Sequence, residues 1–282
     1  MRDTLVRADR RLVTINTRSP MLKRQLQSAV RLSHLPFRRA LPERLAIYLH
    51  DLPPQLWPEA ETLFRFLRAA GYRFVGPDEL CEGRTPLAFL SFDDNFRSWY
   101  KSIELLNRYE IRAVFYVNTL PFDDACSPAD RAAYAYRIGV DPGSYDPLSG
   151  DELRALAAAG HEIGAHTHSH FRLAGLPVDQ AQQEILSSKR ILEDLIGTPV
   201  VHFSYPYGML RFFSEDLRRF CLQAGFRTVA NATPGLQYSG QVPAALQRTH
   251  WNLQRPLPYN VNNLRIDGRL FHSLTGFSAT PC

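Results

Sequence analysis

Two acidic side chains stand side by side at Asp93-Asp94, where the apolar run Ala88-Phe89-Leu90-Ser91-Phe92 ends. Successive strand side chains point to opposite faces, so neighbouring acids at a strand end can take different tasks. One can grip a cation while the other moves a proton. A single Asp in that position more often caps the next helix. The stretch Gly164-Ala165-His166-Thr167-His168-Ser169-His170 changes that reading, because it places histidines at the end of a second apolar run. His166 and His170 are four apart, a spacing that one helical turn brings to one side. Together with the Asp94 carboxylate they form a three-ligand set that leaves room for water or substrate. His168 is expected to point away from it, and His34, His161 and His272 are expected to be structural.

Zinc is the first choice for such a set, although cobalt, nickel, manganese and iron accept the same ligand types. A divalent ion lowers the pKa of its water from about 15.7 to about 7, which is worth roughly 12 kcal/mol. A carboxylate ligand weakens that effect by donating negative charge. A separate base is then useful, and Asp93 is the adjacent candidate.

These residues need a scaffold, and the flanking pattern supplies one. Leu45–Leu49 reads as a strand ending at His50-Asp51, and Pro58 opens a helix through Leu63, Phe64 and Leu67 that Gly71 closes. Further strands are predicted at Phe74-Val75, Ala113–Val117, Val200–Phe203 and Thr228–Ala230. Helices are predicted around Trp99, Ile103 and Leu106, from the Ser149/Glu152 capping box to Gly160, from Asp179 to Gly197, and from Ser214 to Gly225. This alternation argues for an α/β fold with a parallel sheet wrapped by helices. The polar residues His50, Asp93-Asp94, His166/His170, Tyr207 and His250 all fall at carboxyl ends of strands, where a parallel barrel opens its mouth. Residues 119–148 interrupt the rhythm with several prolines. Their acid pair Asp123-Asp124 reads as solvated, and Tyr134, Tyr136 and Tyr145 as cover for a cleft.

The chain has 282 residues, 45% of them hydrophobic, enough for one large domain. No run of about eighteen apolar residues appears, and no signal-peptide core follows the N-terminus, which points to a cytoplasmic protein. Cys81, Cys126, Cys221 and Cys282 form no Cys-x-x-Cys pair and read as free thiols. Residues 1–44 carry eleven Lys/Arg and three Asp/Glu, a net of +8, while the remaining 22 bases and 25 acids give −3. This divides the chain into a basic N-terminal extension, 1–44, and a catalytic domain, 45–282. Leu22, Leu26 and Val30 could line one side of a helix from Met21 to Leu32, so a peripheral contact with anionic membrane is one expectation, beside a solvated arm. Nucleic acid is not expected, since no aromatic interleaving accompanies the charge.

Ser-Phe-Asp-Asp-Asn, His-Thr-His-Ser-His and Phe-Ser-Tyr-Pro-Tyr-Gly, in that order over roughly residues 45–250, resemble the polysaccharide deacetylases of carbohydrate esterase family 4, the NodB-homology group. The resemblance implies a distorted, TIM-like (β/α) barrel of about seven parallel strands. It makes Asp93 the catalytic base and Asp94, His166 and His170 the ligands of a divalent metal, zinc first. The backbone N–H of Tyr207 would complete an oxyanion hole. The implied reaction is hydrolysis of an N-acetyl group on an amino sugar in a polysaccharide, glycolipid or glycan precursor. A deformylase or amidase acting on a small non-sugar amide is the alternative, as is an inactive sugar-binding homologue. His250 is the candidate acid, with His50 its rival, and Trp251 is placed to wall the acyl pocket or stack on sugar. Two departures stand out. Asn95 replaces the Gly that usually ends the first motif, and is expected to take up the turn. Ser204-Tyr205 stands where the third motif often has an Arg, and Arg248 is expected to supply that charge.

Overall fold

The computed structural model describes residues 40–82, 84, 86–235, 237 and 246–267. Residues 1–39 of the basic segment, with its predicted helix at Met21–Leu32 and His34, lie outside the described residues, as do His272 and Cys282.

The elements follow the predicted alternation. They are β1 (Arg44–Leu49), α1 (Trp57–Ala69), β2 (Arg73–Phe74), α2 (Pro77–Glu82), β3 (Leu87–Asp94), α3 (Ser98–Lys101), α4 (Ile103–Arg108), β4 (Val114–Val117) and α5 (Pro128–Arg137). They continue with α6 (Gly150–Ala158), β5 (Glu162–Ala165), α7 (Val178–Ile196), β6 (His202–Ser204), α8 (Glu215–Gln223), β7 (Thr228–Asn231), β8 (Leu246–Gln247), β9 (Thr249–His250) and α9 (Leu257–Leu264). The Ser149/Glu152 capping box forms, with Ser149 Oγ accepting from Glu152 N and Glu152 Oε2 from Ser149 N. Three details differ from expectation. The helix around Trp99 is broken at Ser102, residues 128–137 are helical, and residues 166–171 are not.

All the strand pairs are parallel, in the order β7-β6-β5-β4-β3-β1, with β2 added beside β3. The ring is completed by residues 246–250, of which β8 pairs with β7 and β9 with β1. Counting that stretch as one strand interrupted at Arg248 gives a seven-stranded distorted (β/α) barrel.

Strand alternation sorts the apolar residues into two sets. Leu45, Ile47, Ala88, Leu90, Phe92, Phe115, Val117 and Phe203 face the surrounding helices and share one core with Leu63, Phe64, Leu153 and Ile185. Ala46, Leu87, Phe89, Val114, Tyr116, Ala230 and Leu246 form a second cluster inside the ring, with Leu80 and Cys81 of α2 packed against it. Gly164 is required there: a Cβ would lie 2.5 Å from the Tyr116 ring. The interior is therefore filled in its lower half, and the chemistry is confined to the upper rim.

Candidate active site

Asp93 continues the inward phase of Leu87, Phe89 and Ser91, whereas Asp94 belongs to the outward phase of Phe92. The backbone resolves this at Asp94 itself, whose φ is +86°. Asp is among the few residues that visit the left-handed region at modest cost. The turn lies one residue earlier than expected, since Asn95 is not the positive-φ position. Asn95 is instead a buried clamp: its Nδ2 donates to Asn118 O at 3.0 Å and its Oδ1 accepts from Leu148 N at 2.9 Å.

The histidines reach the same point by loop geometry. After β5, Thr167 has φ +66° and His170 φ +58°, so residues 166–170 coil back without forming a helical turn. Thr167 Oγ1 accepts from His170 N at 3.2 Å, and Asn118 Nδ2 donates to the carbonyls of His166 and Thr167. The four-residue spacing thus brings the rings together for a reason other than the helical one. Asp94 Oδ1 lies 3.2 Å from His170 Nε2 and 3.7 Å from His166 Nε2. One donor atom from each of the three residues falls within 4.8 Å of the other two, all buried.

This donor set fits a cation. His166 Nδ1–H donates to Ser204 O at 2.7 Å, which fixes the tautomer and leaves the Nε2 lone pair facing Asp94. Asp94 Oδ1, the atom that both Nε2 nitrogens approach, is buried and has no hydrogen-bond partner among the described residues. Burial, then the charge of Asp93, pushes the Asp94 carboxyl well above its usual range. Burial likewise holds His166 down at about 4 and His170 well below its usual value. Acceptor lone pairs gathered without a donor are what a divalent ion satisfies.

Asp93 has a different partner. Arg248 holds it from two nitrogens, Nη1 to Oδ1 at 2.6 Å and Nη2 to Oδ2 at 2.7 Å. The remaining Arg248 donors go to Ser91 Oγ (3.0 Å), Ser204 Oγ (2.6 Å) and Asn231 O (3.0 Å), so all five N–H groups are used. Its guanidinium carbon lies 4.9 Å from the ring centres of both Tyr48 and Tyr116. Burial alone would raise the Asp93 pKa, but the charge and hydrogen bonds of Arg248, together with His166 and His50, outweigh it and the net shift is downward. Ser204, standing where an Arg was looked for, thus becomes one of the anchors of Arg248.

A cleft of about 540 Å³ opens above these groups. Its wall includes Tyr48, His50, Tyr207, Gly208, Met209 and His250. The His50 and His250 rings are 5.3 Å apart, each about 5 Å from Tyr48. Burial, then the His50 charge, drives His250 down to about 3, and burial also lowers His50. Tyr207 has φ +64°, its ring sits 5.0 Å from His170, and its N–H has no acceptor among the described residues. Gly208, at φ +57°, packs so closely that a Cβ would lie 2.2 Å from Ala232 Cβ.

Some expectations require correction. Trp251 is buried in the helix-facing core and does not line the cleft. Of the three tyrosines read as cleft cover, Tyr134 is buried with its hydroxyl on Asn118 Oδ1, Tyr145 donates to Asn95 O, and Tyr136 is exposed. The insert reaches the cleft through Arg137, Ile138 and Gly139 instead. His168 turns away to Thr119 Oγ1 at 2.9 Å, with Asp123 at 3.8 Å, so Asp123 is not wholly solvated. His161 is a buried histidine packed on Phe115. Cys81, Cys126 and Cys221 are free thiols. No described helix is long and apolar enough to cross a membrane.

Sequence reasoning did not identify Ser91, Asn118 or the two tyrosines around Arg248. Ser91 was findable, because a polar residue two before Asp93 shares its face. Asn118 was not, since its role depends on a loop fifty residues away.

Comparison with known proteins gives a consistent result. Residues 82–229 match the family model described as polysaccharide deacetylase. The Bacillus subtilis protein YxkH is 23% identical over 198 residues, 67% of this chain and 63% of its own length. The peptidoglycan-N-acetylglucosamine deacetylase of Bacillus cereus is 22% identical over 64% of this chain and 54% of its own. The chain therefore spans less than two thirds of either relative. Among solved structures, the Streptococcus pyogenes deacetylase PplD in complex with acetate superposes with a TM-score of 0.60 at 15% identity, covering 80% of this chain and 99% of that one. That similarity concerns the fold.

Proposed function

The chain belongs to the polysaccharide deacetylase family, and on that basis we propose that it is a hydrolase removing an N-acetyl group from an amino sugar in a polysaccharide, glycolipid or glycan precursor. The observation that carries this reading is the division of labour between adjacent acids: Asp94 joins His166 and His170, and Asp93 is held apart by Arg248.

In this reading Asp94, His166 and His170 hold a divalent ion, zinc by preference. Such an ion supplies a Lewis-acid centre that acidifies water and polarises an acyl oxygen. Asp93 is the base. Its lowered pKa keeps it ionised at neutral pH, and the two-nitrogen grip of Arg248 fixes the direction of its oxygens. It takes one proton of the attacking water, whose oxygen joins the acyl carbon. The Tyr207 N–H faces the negative charge developing on the acyl oxygen, a contribution of about 3–4 kcal/mol for one well-aimed donor. The C–N bond then breaks, giving acetate and a free amine.

The leaving nitrogen needs a proton, and His250 is assigned to deliver it. With a pKa near 3 it is neutral in the resting protein, so it must collect its proton during turnover. The proton that Asp93 removes from water is the available source, and the Asp93 charge favours that transfer by raising the His250 pKa. A base with no cation to orient it would favour the inactive homologue, and the Arg248–Asp93 contact argues against that alternative.

Acetate release from N-acetylglucosamine oligomers, measured before and after chelation, tests the reading. Release that stops with chelator and returns with zinc supports it. Binding without release under any added metal contradicts it.

A further inference from the structure

Two guanidiniums that have no carboxylate partner among the described residues face this cleft. Apart from Asp93 and Asp94 its lining contains no carboxylate among the described residues, and it does contain Arg137 and Arg255. Asp93 is neutralised by Arg248, and Asp94 faces the donor set. Among the described residues neither Arg137 nor Arg255 has a carboxylate within ion-pair distance, although ten other arginines do. Arg137 donates from Nε to Ser169 O at 2.8 Å and its guanidinium carbon lies 4.3 Å from the Phe171 ring, while its two terminal nitrogens have no hydrogen-bond partner among the described residues. Arg255 is exposed, its guanidinium carbon 5.7 Å from the Tyr259 ring.

The same sign continues outward along a ledge. The Arg172 guanidinium carbon lies 5.2 Å from the Tyr207 ring and 4.3 Å from Phe212, and that of Arg211 lies 4.8 Å from Phe212. Stacking uses the flat face of a guanidinium and leaves its N–H edge open to an anion. This arrangement sits on a domain, residues 45–282, whose formal charge is −3. The positive potential is therefore local to the cleft, where low-dielectric walls concentrate it.

We infer that the amino-sugar substrate is anionic, with a carboxylate or phosphate close to the acetylated residue that meets Arg137 and Arg255. This rests on the deacetylase reading. Both anions match the planar fork of arginine, and Arg172 and Arg211 would carry the next charged units past the aromatic ledge. A neutral chitin-type chain would gain only the weaker hydrogen bonds of neutral acceptors from these groups.

The test uses the full chain and defined probes. These are an N-acetylglucosamine tetramer, a tetrasaccharide alternating N-acetylglucosamine with glucuronic acid, and an oligomer of N-acetylglucosamine joined by phosphodiesters. Affinity is measured by calorimetry, and acetate release is followed in parallel. At least one anionic probe should bind about tenfold more tightly than the neutral tetramer, and whichever wins names the anion. Because residues 1–44 carry net +8, salt alone does not locate the effect, and cleft variants do. Arg255→Gln should close much of the gap, and Arg137→Gln/Arg255→Gln should nearly abolish it. Arg255→Gln breaks no side-chain hydrogen bond among the described residues, so its result stands even if Arg137→Gln disturbs the His170 loop.

Equal binding of neutral and anionic probes overturns the inference, as does a preference that survives both variants. Rapid acetate release from the neutral tetramer with no anion preference leaves the deacetylase reading intact and removes this one. Arginine-dependent anion binding with no acetate release from any probe does the reverse.

Discussion

Arg248 and Asp93 meet through two parallel hydrogen bonds of 2.6 and 2.7 Å, although 155 residues separate them in the chain. The guanidinium sits where residues 246–250 change partners from β7 to β1, so the contact that orients the base also lies at the closure of the barrel. Position and charge are supplied by one residue.

Replacing Arg248 by Met should therefore have two effects. Leaving Asp93 as an unpaired buried charge costs about 3–5 kcal/mol of stability, which chemical denaturation measures. Loss of the cation also raises the Asp93 pKa, so the acid limb of the kcat/KM profile should move to higher pH. An unmoved acid limb in a folded variant would show that Arg248 does not set the charge of the base.

The donor trio predicts a large dependence on metal. At an ion concentration 100 times Kd, binding to the folded state alone adds about 2.7 kcal/mol. Zinc should therefore raise the Tm of the chelated protein, and His170→Ala should show no such rise. An equal zinc response in His170→Ala would move the ion elsewhere.

His250 and His50 make different predictions although their rings are neighbours. His250→Ala should lower kcat by about 10²–10⁴, the usual worth of a positioned acid, and His50→Ala by less. Full activity in His250→Ala combined with loss in His50→Ala would exchange the roles.

Gly208 tests the oxyanion donor, which no side-chain substitution removes directly. A Cβ there meets Ala232 Cβ at 2.2 Å and its N at 2.4 Å, and the loop must shift. Gly208→Ala should lower kcat more than it raises KM while zinc binding persists. A change confined to KM would place Tyr207 in substrate binding.

His161 gives the stability curve a titration away from the ion. Burial, then the charge of Arg112, depresses its pKa to about 4 from 6.5. The unfolded chain therefore binds the proton more readily. The contribution is complete above pH 6.5 and is lost as pH falls toward 4, roughly 3 kcal/mol in all. His161→Asn should flatten the slope of stability between those values. An identical slope would mean that His161 titrates normally in the fold.

The barrel was legible because its strands and helices are short, regular and locally punctuated. Capping at Ser149 and Ser214 and the closures after Ala69 and Ile196 fall where the residues put them. The site was legible in its members but not in its geometry. The His166/His170 spacing suggests a helical turn, whereas the chain folds back through left-handed backbone at Thr167 and His170. Asn95 was assigned a turn that Asp94 makes, because sequence does not reveal which of two tolerant residues takes the positive φ. Trp251 and the insert's tyrosines were misplaced for a simpler reason. An aromatic residue near a site serves equally well as core, and only tertiary contacts decide.

The most direct test pairs metal content with turnover in two adjacent substitutions, Asp93→Asn and Asp94→Asn, in the full chain. Asp93→Asn should retain one zinc ion per chain while acetate release disappears, and Asp94→Asn should lose both. Loss of zinc from Asp93→Asn, or its full retention in Asp94→Asn, would contradict the division of labour on which the whole account stands.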